Sequence, residues 1–212
     1  MSPTRSLTIP LLIELAREIA LKGERTLLGV TGAPGAGKST VTTAIVSALG
    51  PELAVIAPMD GFHMQNSKLH DLNRRDRKGA PDTFEVDAFV GLLEQLKFQR
   101  DEIIYAPDFD RVLDAPVEAA IAIPRSVPLV ITEGNYLLHN HGGWERVAPL
   151  LSHSWFVHID DEIRQERLIK RHMSFGMSHA EAIAWTMGSD ERNAIGVRED
   201  VMRADLVITL TQ

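Results

Sequence analysis

Hydrophobic residues along this chain fall in short runs that are separated by stretches of helical spacing. The short runs predict buried strands at 26–31, 53–58, 103–106, 128–132, 155–159 and 206–210. Apolar positions three and four residues apart predict helices at 8–22, 38–49, 87–98, 161–172 and 178–187, and a short one at 144–151. Strands that alternate with helices are typical of a parallel sheet covered on both faces, so the sequence predicts an α/β fold.

Two stretches interrupt this alternation. Residues 63–84 are polar and basic without a clear period, which predicts a loop-rich excursion. Prolines at 116, 124 and 128 break the sequence after the run at 103–106. No internal repeat, low-complexity tract or linker divides the chain, so we expect one domain over residues 1–212.

A glycine-rich segment, Gly32 to Ser39, separates the first strong strand pattern from the helix pattern at 38–49. It fits G-x-x-x-x-G-K-[ST], in which backbone N–H groups cradle phosphates, Lys38 reaches the outer phosphates and the Ser39 hydroxyl binds Mg²⁺. A G-x-G-x-x-G dinucleotide pattern does not fit, and the alternative is a glycine-rich turn without a ligand. The predicted nucleotide-binding residues are Gly32, Ala33, Pro34, Gly35, Ala36, Gly37, Lys38, Ser39 and Thr40.

The composition excludes several classes of function. With 22 basic and 29 acidic residues the formal charge is -7, which argues against non-specific binding to nucleic acid or to an anionic membrane. The absence of cysteine excludes disulfides, thiol catalysis and thiolate metal sites. His139 and His141 lack a third partner, so polar surface is expected there rather than a metal site. No segment has the pattern of a signal peptide or membrane span, and we expect a cytoplasmic protein.

Acidic residues follow four of the predicted strands, at Asp60, Asp108, Glu133 and Asp160. Ligands bind beyond the carboxyl ends of strands in an open parallel sheet, so all four are expected beside the phosphate loop. We predict Asp60 as general base, because its strand is expected next to the strand at 26–31. Glu133 is predicted as the carboxylate on the Mg²⁺ side or on the substrate hydroxyl. Loop acids and helix caps are the alternatives, and a cap is favoured for Asp160.

Three arginines, Arg164, Arg167 and Arg171, share one face of the helix predicted at 161–172. Like charges at such spacing repel by about 0.2 to 0.5 kcal/mol per pair. A lid that closes over phosphates would explain this cost. The alternative is an ordinary solvated face, since acidic neighbours offer compensating pairs.

Five segments resemble parts of one known family: Gly32 to Ser39, Met59 to His63, Lys78 to Phe84, Tyr105 to Arg111 and Glu133 to Leu138. Together they resemble the P-loop small-molecule kinases grouped as the uridine kinase, phosphoribulokinase and pantothenate kinase family, over nearly the whole chain. The second and third segments look most like the bacterial branch called fructose transport system kinases, or fructokinase-like proteins.

The resemblance implies a P-loop NTPase fold of three α/β/α layers with a mostly parallel central sheet. It further implies an acceptor-side insert at about 60–125, a helical lid at about 161–190, and adenine near the lid and residues 203–205. The predicted catalytic residues are Asp60, Lys38, Arg167 and Arg171, and the predicted Mg²⁺ ligands are Ser39 and Glu133. The predicted acceptor-binding residues are Phe62, His63, Lys78, Pro81, Asp82, Asp108, Arg111, Glu133 and Asn193.

We therefore expect an ATP- and Mg²⁺-dependent phosphotransferase that moves the γ-phosphate to a hydroxyl of a small polar metabolite, with a sugar such as fructose favoured. Pantothenate-like and nucleoside-like acceptors are alternatives, although the segments typical of those kinases, Tyr-Ser-His and Asp-Ser-Phe-Tyr, are absent. A catalytically weak metabolite sensor is the alternative of another class. Neither a guanine-reading Asn-Lys-x-Asp segment nor a Leu-Ser-Gly-Gly signature occurs. Neither nucleic acid nor membrane is an expected partner, and the oligomeric state is open, with a homodimer among the alternatives.

Overall fold

A computed structural model describes residues 3–211 as alternating strands and helices. The strands are β1 (Thr4–Leu7), β2 (Thr26–Thr31), β3 (Ala54–Ile56), β4 (Ile103–Asp110), β5 (Ala115–Pro124), β6 (Leu129–Gly134), β7 (His153–His158) and β8 (Leu206–Leu210). The α-helices are α1 (Ile9–Ala20), α2 (Lys38–Leu49), α3 (Asn66–Asp71), α4 (Val86–Lys97), α5 (Asp161–Ser174), α6 (His179–Trp185) and α7 (Glu191–Glu199). A π-helical turn, Thr186–Asp190, joins α6 to α7.

Six strands form the central sheet, in the order β1-β8-β7-β2-β6-β3, and every neighbouring pair is parallel. At the end of β2, Thr31 lies opposite Gly134 of β6 and Phe156 of β7. The residues that follow these three strands therefore meet at one edge of the sheet. The expectation of a mostly parallel sheet is confirmed.

Alternating side chains of the sheet divide the core between its two faces. Leu28 of β2 and Ile131 of β6 pack with apolar residues of α1 and α2. Leu27 and Val130, one position earlier on the same strands, pack with apolar residues of α4 and α7 on the other face. Because successive side chains of a strand point to opposite faces, this sorting gives three layers, α/β/α, as predicted.

Most of the predicted elements are confirmed within two or three residues. The start of α1 shows why: the Thr8 hydroxyl accepts a hydrogen bond from Leu11 N at 3.5 Å, and Pro10 occupies the first turn. The sequence missed β1, α3, β5 and α7. Within the described range 3–211, no helix has the length and apolar character that crossing a membrane requires.

The run at 103–106 was expected as a strand of the parallel sheet, and that expectation is wrong. It belongs to β4, which pairs antiparallel with β5 in a separate two-stranded hairpin. The register shifts between Ala106 and Asp108, and Ala119 in the opposing bulge has φ 50°. Prolines near both ends of β5 argued against a strand in the sequence, but a strand that is paired on one side only tolerates proline.

The predicted neighbour of β2 is also wrong. β3, which leads to Asp60, pairs with β6, and β6 separates it from β2. Asp60 therefore lies on the side of β6 away from β2, and Glu133, the penultimate residue of β6, lies on the strand between them. The two acids that the sequence singled out therefore lie at or just after the ends of neighbouring strands, β3 and β6.

Candidate active site

The phosphate loop connects the end of β2 to the start of α2, and its glycines are required by geometry. Gly35 and Gly37 have φ angles of 81° and 97°, which residues with a Cβ atom rarely adopt. Gly32 has φ 149°, and a Cβ atom there would lie 2.4 Å from the carbonyl oxygen of Val157. The backbone can make this turn against the end of β7 only with glycine.

The start of α2 offers its backbone N–H groups to an anion. Gly37 occupies the N-cap position, and in the described part of the chain no side chain caps this helix end. Uncapped N–H groups at the positive end of a helix dipole form an anion site. Inside the loop, Ala36 N donates to Ala33 O at 3.1 Å, Pro34 is buried, and Ser39 and Thr40 are exposed.

Lys38 folds back over the phosphate loop. Its Nζ donates to the carbonyl oxygens of Gly32 and Ala33 at 2.9 and 3.1 Å, and to Oδ1 of Asn135 at 2.7 Å. Burial lowers the Lys38 pKa to about 8, while the charges of Glu133 and Asp60 act to raise it. The ammonium is thus charged at neutral pH and lies at the mouth of the loop.

Three oxygen-bearing side chains meet beside the start of α2. The Ser39 hydroxyl donates to Oε1 of Glu133 at 3.0 Å, and Thr42 Oγ1 lies 3.2 Å from Oε2. Burial raises the Glu133 pKa, and Lys38 together with the hydroxyl donors acts to lower it. Hydroxyl and carboxylate oxygens are the ligands that Mg²⁺ prefers, so this group fits the ion that the motif implies.

Asp60 lies in a 3₁₀ turn, Met59–Phe62, directly after β3. The turn packs against the hairpin, since a Cβ atom at Gly61 would lie 2.3 Å from the carbonyl oxygen of Pro107. From the hairpin tip, Arg111 Nη2 donates to Asp60 Oδ2 at 3.2 Å. The acid and the cation are both partly exposed, so a ligand can reach them.

The predicted lid arginines divide into two kinds. Arg164 is buried, pairs with Glu191 of α7 and donates through Nε to Asp161 Oδ1 at 3.1 Å. Arg167 is exposed, and its Nη1 would lie 3.5 Å from a Cβ atom at Gly37. The expectation that Arg164 faces the phosphates with the other two is wrong, because its charge is already neutralised inside the protein.

Arg171 lies on α5 and is influenced by the charge of Asp60. Solvent reaches its side chain, yet surrounding protein atoms partly desolvate it and lower its pKa, as does the charge of Arg111. Asp190 and Asp60 act in the opposite direction. Asp60 therefore pairs with Arg111 of the hairpin and also lies within electrostatic reach of Arg171 of α5.

Two predicted acceptor residues, His63 and Lys78, lie beside Phe109 of the hairpin. The His63 ring stacks on Phe84, with centroids 4.1 Å apart, and burial lowers its pKa to about 4. His63 Nδ1 is buried and has no hydrogen-bond partner within residues 3–211. Lys78 Nζ donates to Asn66 Oδ1 at 2.9 Å and to Asp114 O at 2.7 Å. Phe62, by contrast, is enclosed in the core against Phe89.

The remaining predicted acceptor residues already have protein partners. Asp82 pairs with Arg77 at 2.6 Å and with Arg74, and the carbonyl oxygen of Pro81 accepts from Trp144 Nε1 at 3.1 Å. Asp108 Oδ1 accepts from the next backbone N–H, and Asn193 Nδ2 donates to Gly79 O at 3.3 Å. The carboxylates of Asp82 and Asp108 are exposed, whereas Asn193 helps to join α7 to the acceptor-side segment.

The weaker sequence candidates have other contacts, and the expectation of polar surface is wrong for His139, which is buried against Asp200 at 2.8 Å. His139 Nε2 and His141 Nε2 are 3.0 Å apart, but residues 3–211 contain no group of three or more histidine, aspartate or glutamate side chains suited to a metal. Asp160 holds the N-cap position of α5 without a side-chain hydrogen bond to the helix. Asp205, near the predicted adenine site, is bound through Oδ2 to Ser154.

Comparison with known proteins decides the relationship. Residues 27–209 match the profile of the Phosphoribulokinase / Uridine kinase family. The chain belongs to this family. It is accordingly an ATP-dependent kinase.

Three relatives illustrate the match. "Putative uridine kinase C227.14" of Schizosaccharomyces pombe is 31% identical over 91% of this chain and 86% of its own length. "Uncharacterized protein YggC" of Escherichia coli is 36% identical over 89% of this chain and 79% of its own length. A crystal structure from Silicibacter sp. TM1040, described as a "putative fructose transport system kinase", is 32% identical with a TM-score of 0.80, over 92% and 98% of the two chains.

Two residues of the candidate site, Thr42 and Asn135, were missed by the sequence prediction. Thr42 follows Ser39 by three positions on α2, and that spacing alone would have placed both hydroxyls on one helix face. Asn135 is 97 positions from Lys38, so no local pattern could join them. Its place two residues after Glu133, at a strand end, was the available signal.

Proposed function

We propose that the kinase transfers the γ-phosphate of ATP to a hydroxyl of a small polar metabolite, and that a sugar such as fructose is the acceptor. The observation that supports transfer to a hydroxyl is the convergence at Asp60. The charge of Asp60 acts on Lys38 of the phosphate loop and on Arg171 of α5, and Asp60 pairs directly with Arg111 of the hairpin. Phosphoryl transfer needs such cations around the moving group and a carboxylate for the attacking hydroxyl.

In this proposal each residue has one task. Asp60 accepts the proton of the acceptor hydroxyl, after Arg111 has released its carboxylate. Ser39 and Glu133 would hold Mg²⁺, which would supply positive charge to neutralise the phosphates. Arg167 and Arg171 stabilise the charge of the transferred group from a lid formed by residues of about 161–190. The acceptor lies against an insert of about 60–125 in one kinase domain.

The choice of fructose is supported by the Silicibacter relative, which is described as a "putative fructose transport system kinase", is 32% identical and matches 92% of this chain. A nucleoside acceptor is supported by the name of the S. pombe relative at 31% identity. A pantothenate-like acceptor is the remaining alternative within the family. Kinases discriminate such acceptors strongly when buried polar groups hydrogen-bond one hydroxyl, so direct comparison can decide.

The test is an acceptor screen with purified protein, ATP and Mg²⁺. ADP formation is followed with fructose, other hexoses, uridine and other nucleosides, pantothenate and glycerate, and ³¹P NMR identifies the phosphorylated hydroxyl. We expect fructose to give the highest kcat/KM. Faster turnover of a nucleoside or of pantothenate would replace the sugar proposal, and ATP binding without turnover of any acceptor would favour a metabolite sensor.

The variant Asp60→Asn tests the assigned base with whichever acceptor is active. We expect kcat to fall by about 10² to 10⁴, the usual contribution of general base catalysis, while ATP affinity is retained. Asp101→Asn is the matched control, because Asp101 is exposed at a distance from the loop in the turn before β4. Full activity of Asp60→Asn would remove this residue as base. Light scattering on the same sample tests for a homodimer.

A further inference from the structure

The tip of the β4–β5 hairpin, residues 111–114, carries Arg111 towards its carboxylate partner. The turn is closed locally, since Asp110 Oδ1 accepts hydrogen bonds from the backbone N–H groups of Val112 and Leu113 at 2.7 and 2.9 Å. The side chains of Val112 and Leu113 are 92% and 67% exposed, so they do not anchor the tip. The anchoring contacts are those of the last residue of the tip.

That residue, Asp114, is bound by three side chains from the segment between β3 and β4. Lys78 Nζ donates to the Asp114 carbonyl oxygen at 2.7 Å and pairs with Oδ1 at 2.9 Å. Arg75 Nη2 pairs with Oδ2 at 2.9 Å, and Asn66 Nδ2 donates to the carbonyl oxygen at 3.2 Å. The three partners lie in α3 and in or directly after the short 3₁₀ turn that follows it. Asp114 thus joins the tip to a segment 36 to 48 positions earlier in the chain.

Burial makes Lys78 the central partner of this group. Its side chain is 7% exposed and lies over the Phe109 ring at 5.0 Å, and Asn66 Oδ1 accepts a further hydrogen bond at 2.9 Å. The three N–H donors of the ammonium therefore have acceptors, two of them on Asp114. The sequence predicted Lys78 as a residue that binds the metabolite, whereas its contacts hold the hairpin tip.

The backbone of Asp114 suits the same arrangement. Its φ angle is 49°, a left-handed conformation that aspartate and asparagine adopt more readily than other residues with a Cβ atom. An aspartate at this position therefore satisfies the turn into β5 and the two cations at once.

We propose that Asp114 is a positioning residue: by joining the hairpin tip to Lys78 and Arg75, it holds Arg111 opposite Asp60 and so shapes the site of the metabolite. The inference rests on the proposed transfer to a small metabolite, and it adds a residue that acts through Arg111 rather than on the substrate. ATP is held by the phosphate loop, which these contacts do not involve. Loss of the Asp114 contacts should therefore weaken binding of the metabolite and spare binding of ATP.

Hydrogen–deuterium exchange of the full chain, followed by mass spectrometry, examines the tip without any substrate. We expect Asp114→Gly, which tolerates the backbone conformation, to exchange its tip amides at least about tenfold faster, because hydrogen bonds to charged groups are lost. Arg75→Ala leaves the hairpin sequence unchanged and should speed the same amides about twofold to fivefold, as expected for a partly exposed ion pair. Exchange in the phosphate loop should stay as in wild type. Arg125→Ala is the matched control, because Arg125 pairs with exposed Glu102 at the opposite end of the hairpin.

Steady-state kinetics with the metabolite found in the acceptor screen examines positioning itself. The KM for the metabolite should rise about tenfold in Asp114→Gly, while the KM for ATP stays unchanged. Asp114→Asn keeps a side-chain oxygen and tolerates positive φ, so it should restore much of the lost affinity. Adding Arg75→Ala to Asp114→Gly should change neither exchange nor KM further, because the partner of Arg75 is already gone.

Three results would overturn the proposal. They are unchanged exchange of the tip in both Asp114→Gly and Arg75→Ala, faster exchange with an unchanged KM for the metabolite, and an equal rise of both KM values, which indicates general destabilisation. A screen in which no metabolite is phosphorylated removes the proposed function instead, and the exchange comparison then decides whether Asp114 holds the tip. If Asp114→Gly does not fold, Arg75→Ala decides, since it replaces a partly exposed side chain outside the hairpin.

Discussion

Replacing Arg164 by alanine should destabilise the protein, although the residue lies on the same helix as the exposed lid arginines. Its guanidinium pairs with Asp161 and Glu191 and is buried together with its stem. Its Cγ packs on the phosphate loop, 3.0 Å from the position a Cβ atom would take at Gly35. The substitution therefore removes an ion pair and leaves a void beneath the loop.

The loss of unfolding free energy depends on the hydrogen-bond donors that Glu191 keeps when Arg164 is removed. Breaking a buried ion pair costs about 3 to 5 kcal/mol when the partner is left without compensation. Glu191 keeps donors from Arg198 at 3.0 Å and from Gln165 at 3.1 Å, so the lower end, about 3 kcal/mol, is expected. For a domain of this size, such a loss lowers Tm by about 6 to 12 °C.

Thermal unfolding followed by circular dichroism gives the comparison, with Arg167→Ala as the matched control. Arg167 is exposed, so its removal should change stability by less than about 0.5 kcal/mol and act on turnover instead. Arg164→Met, which keeps most of the buried stem, should lie between the two. If Arg164→Ala and Arg167→Ala had the same Tm, the conclusion that Arg164 stabilises the fold through its buried ion pair would be refuted.

Two further predictions concern single positions. Gly32→Ala should weaken ATP binding by more than about tenfold and lower Tm, because its Cβ atom would lie 2.4 Å from the Val157 carbonyl oxygen. Gly91→Ala is the control, since a Cβ atom at this position in α4 would meet open space. Equal ATP affinity and Tm in the two variants would contradict the steric reasoning. The folded-state pKa of His63, about 4, lies below the ordinary 6.5, so its contribution to stability is complete above pH 6.5 and is lost as pH falls towards 4. Urea unfolding at pH 7 and at pH 4.5 gives the loss of unfolding free energy on acidification, and this loss should be about 2 kcal/mol smaller in His63→Phe than in wild type. An equal loss in the two proteins would contradict the assignment to His63.

Local sequence patterns were sufficient where one element carries the information. The phosphate loop and its flanking strand and helix follow from residues 26–49 alone, because the motif, the apolar run and the helical period are contiguous. The hairpin did not follow, since β5 is largely exposed and interrupted by prolines, and its partner β4 determines it. Strand order within the sheet was equally beyond a single pattern.

The site shows the same limit at the level of side chains. Helical spacing placed Arg164, Arg167 and Arg171 on one face, but it could not show that Glu191, 27 positions after Arg164, pairs with that arginine. The contact between Lys38 and Asn135 likewise joins distant parts of the chain. Periodicity gives the direction in which a side chain points, whereas its partner depends on the tertiary arrangement.

In the proposed arrangement, with the acceptor against the insert of about 60–125, the separation of the hairpin from the central sheet has a consequence for how acceptor preference changes in evolution. Within residues 3–211, β4 and β5 pair only with each other, and the turn at Gly61 fits closely against Pro107. Substitutions in the hairpin therefore leave the hydrogen bonds between strands of the central sheet, which carries the phosphate loop, intact. Such a hairpin is a transplantable module: exchanged between relatives with Gly61 and Pro107 retained, it is the smallest unit expected to carry a new acceptor preference.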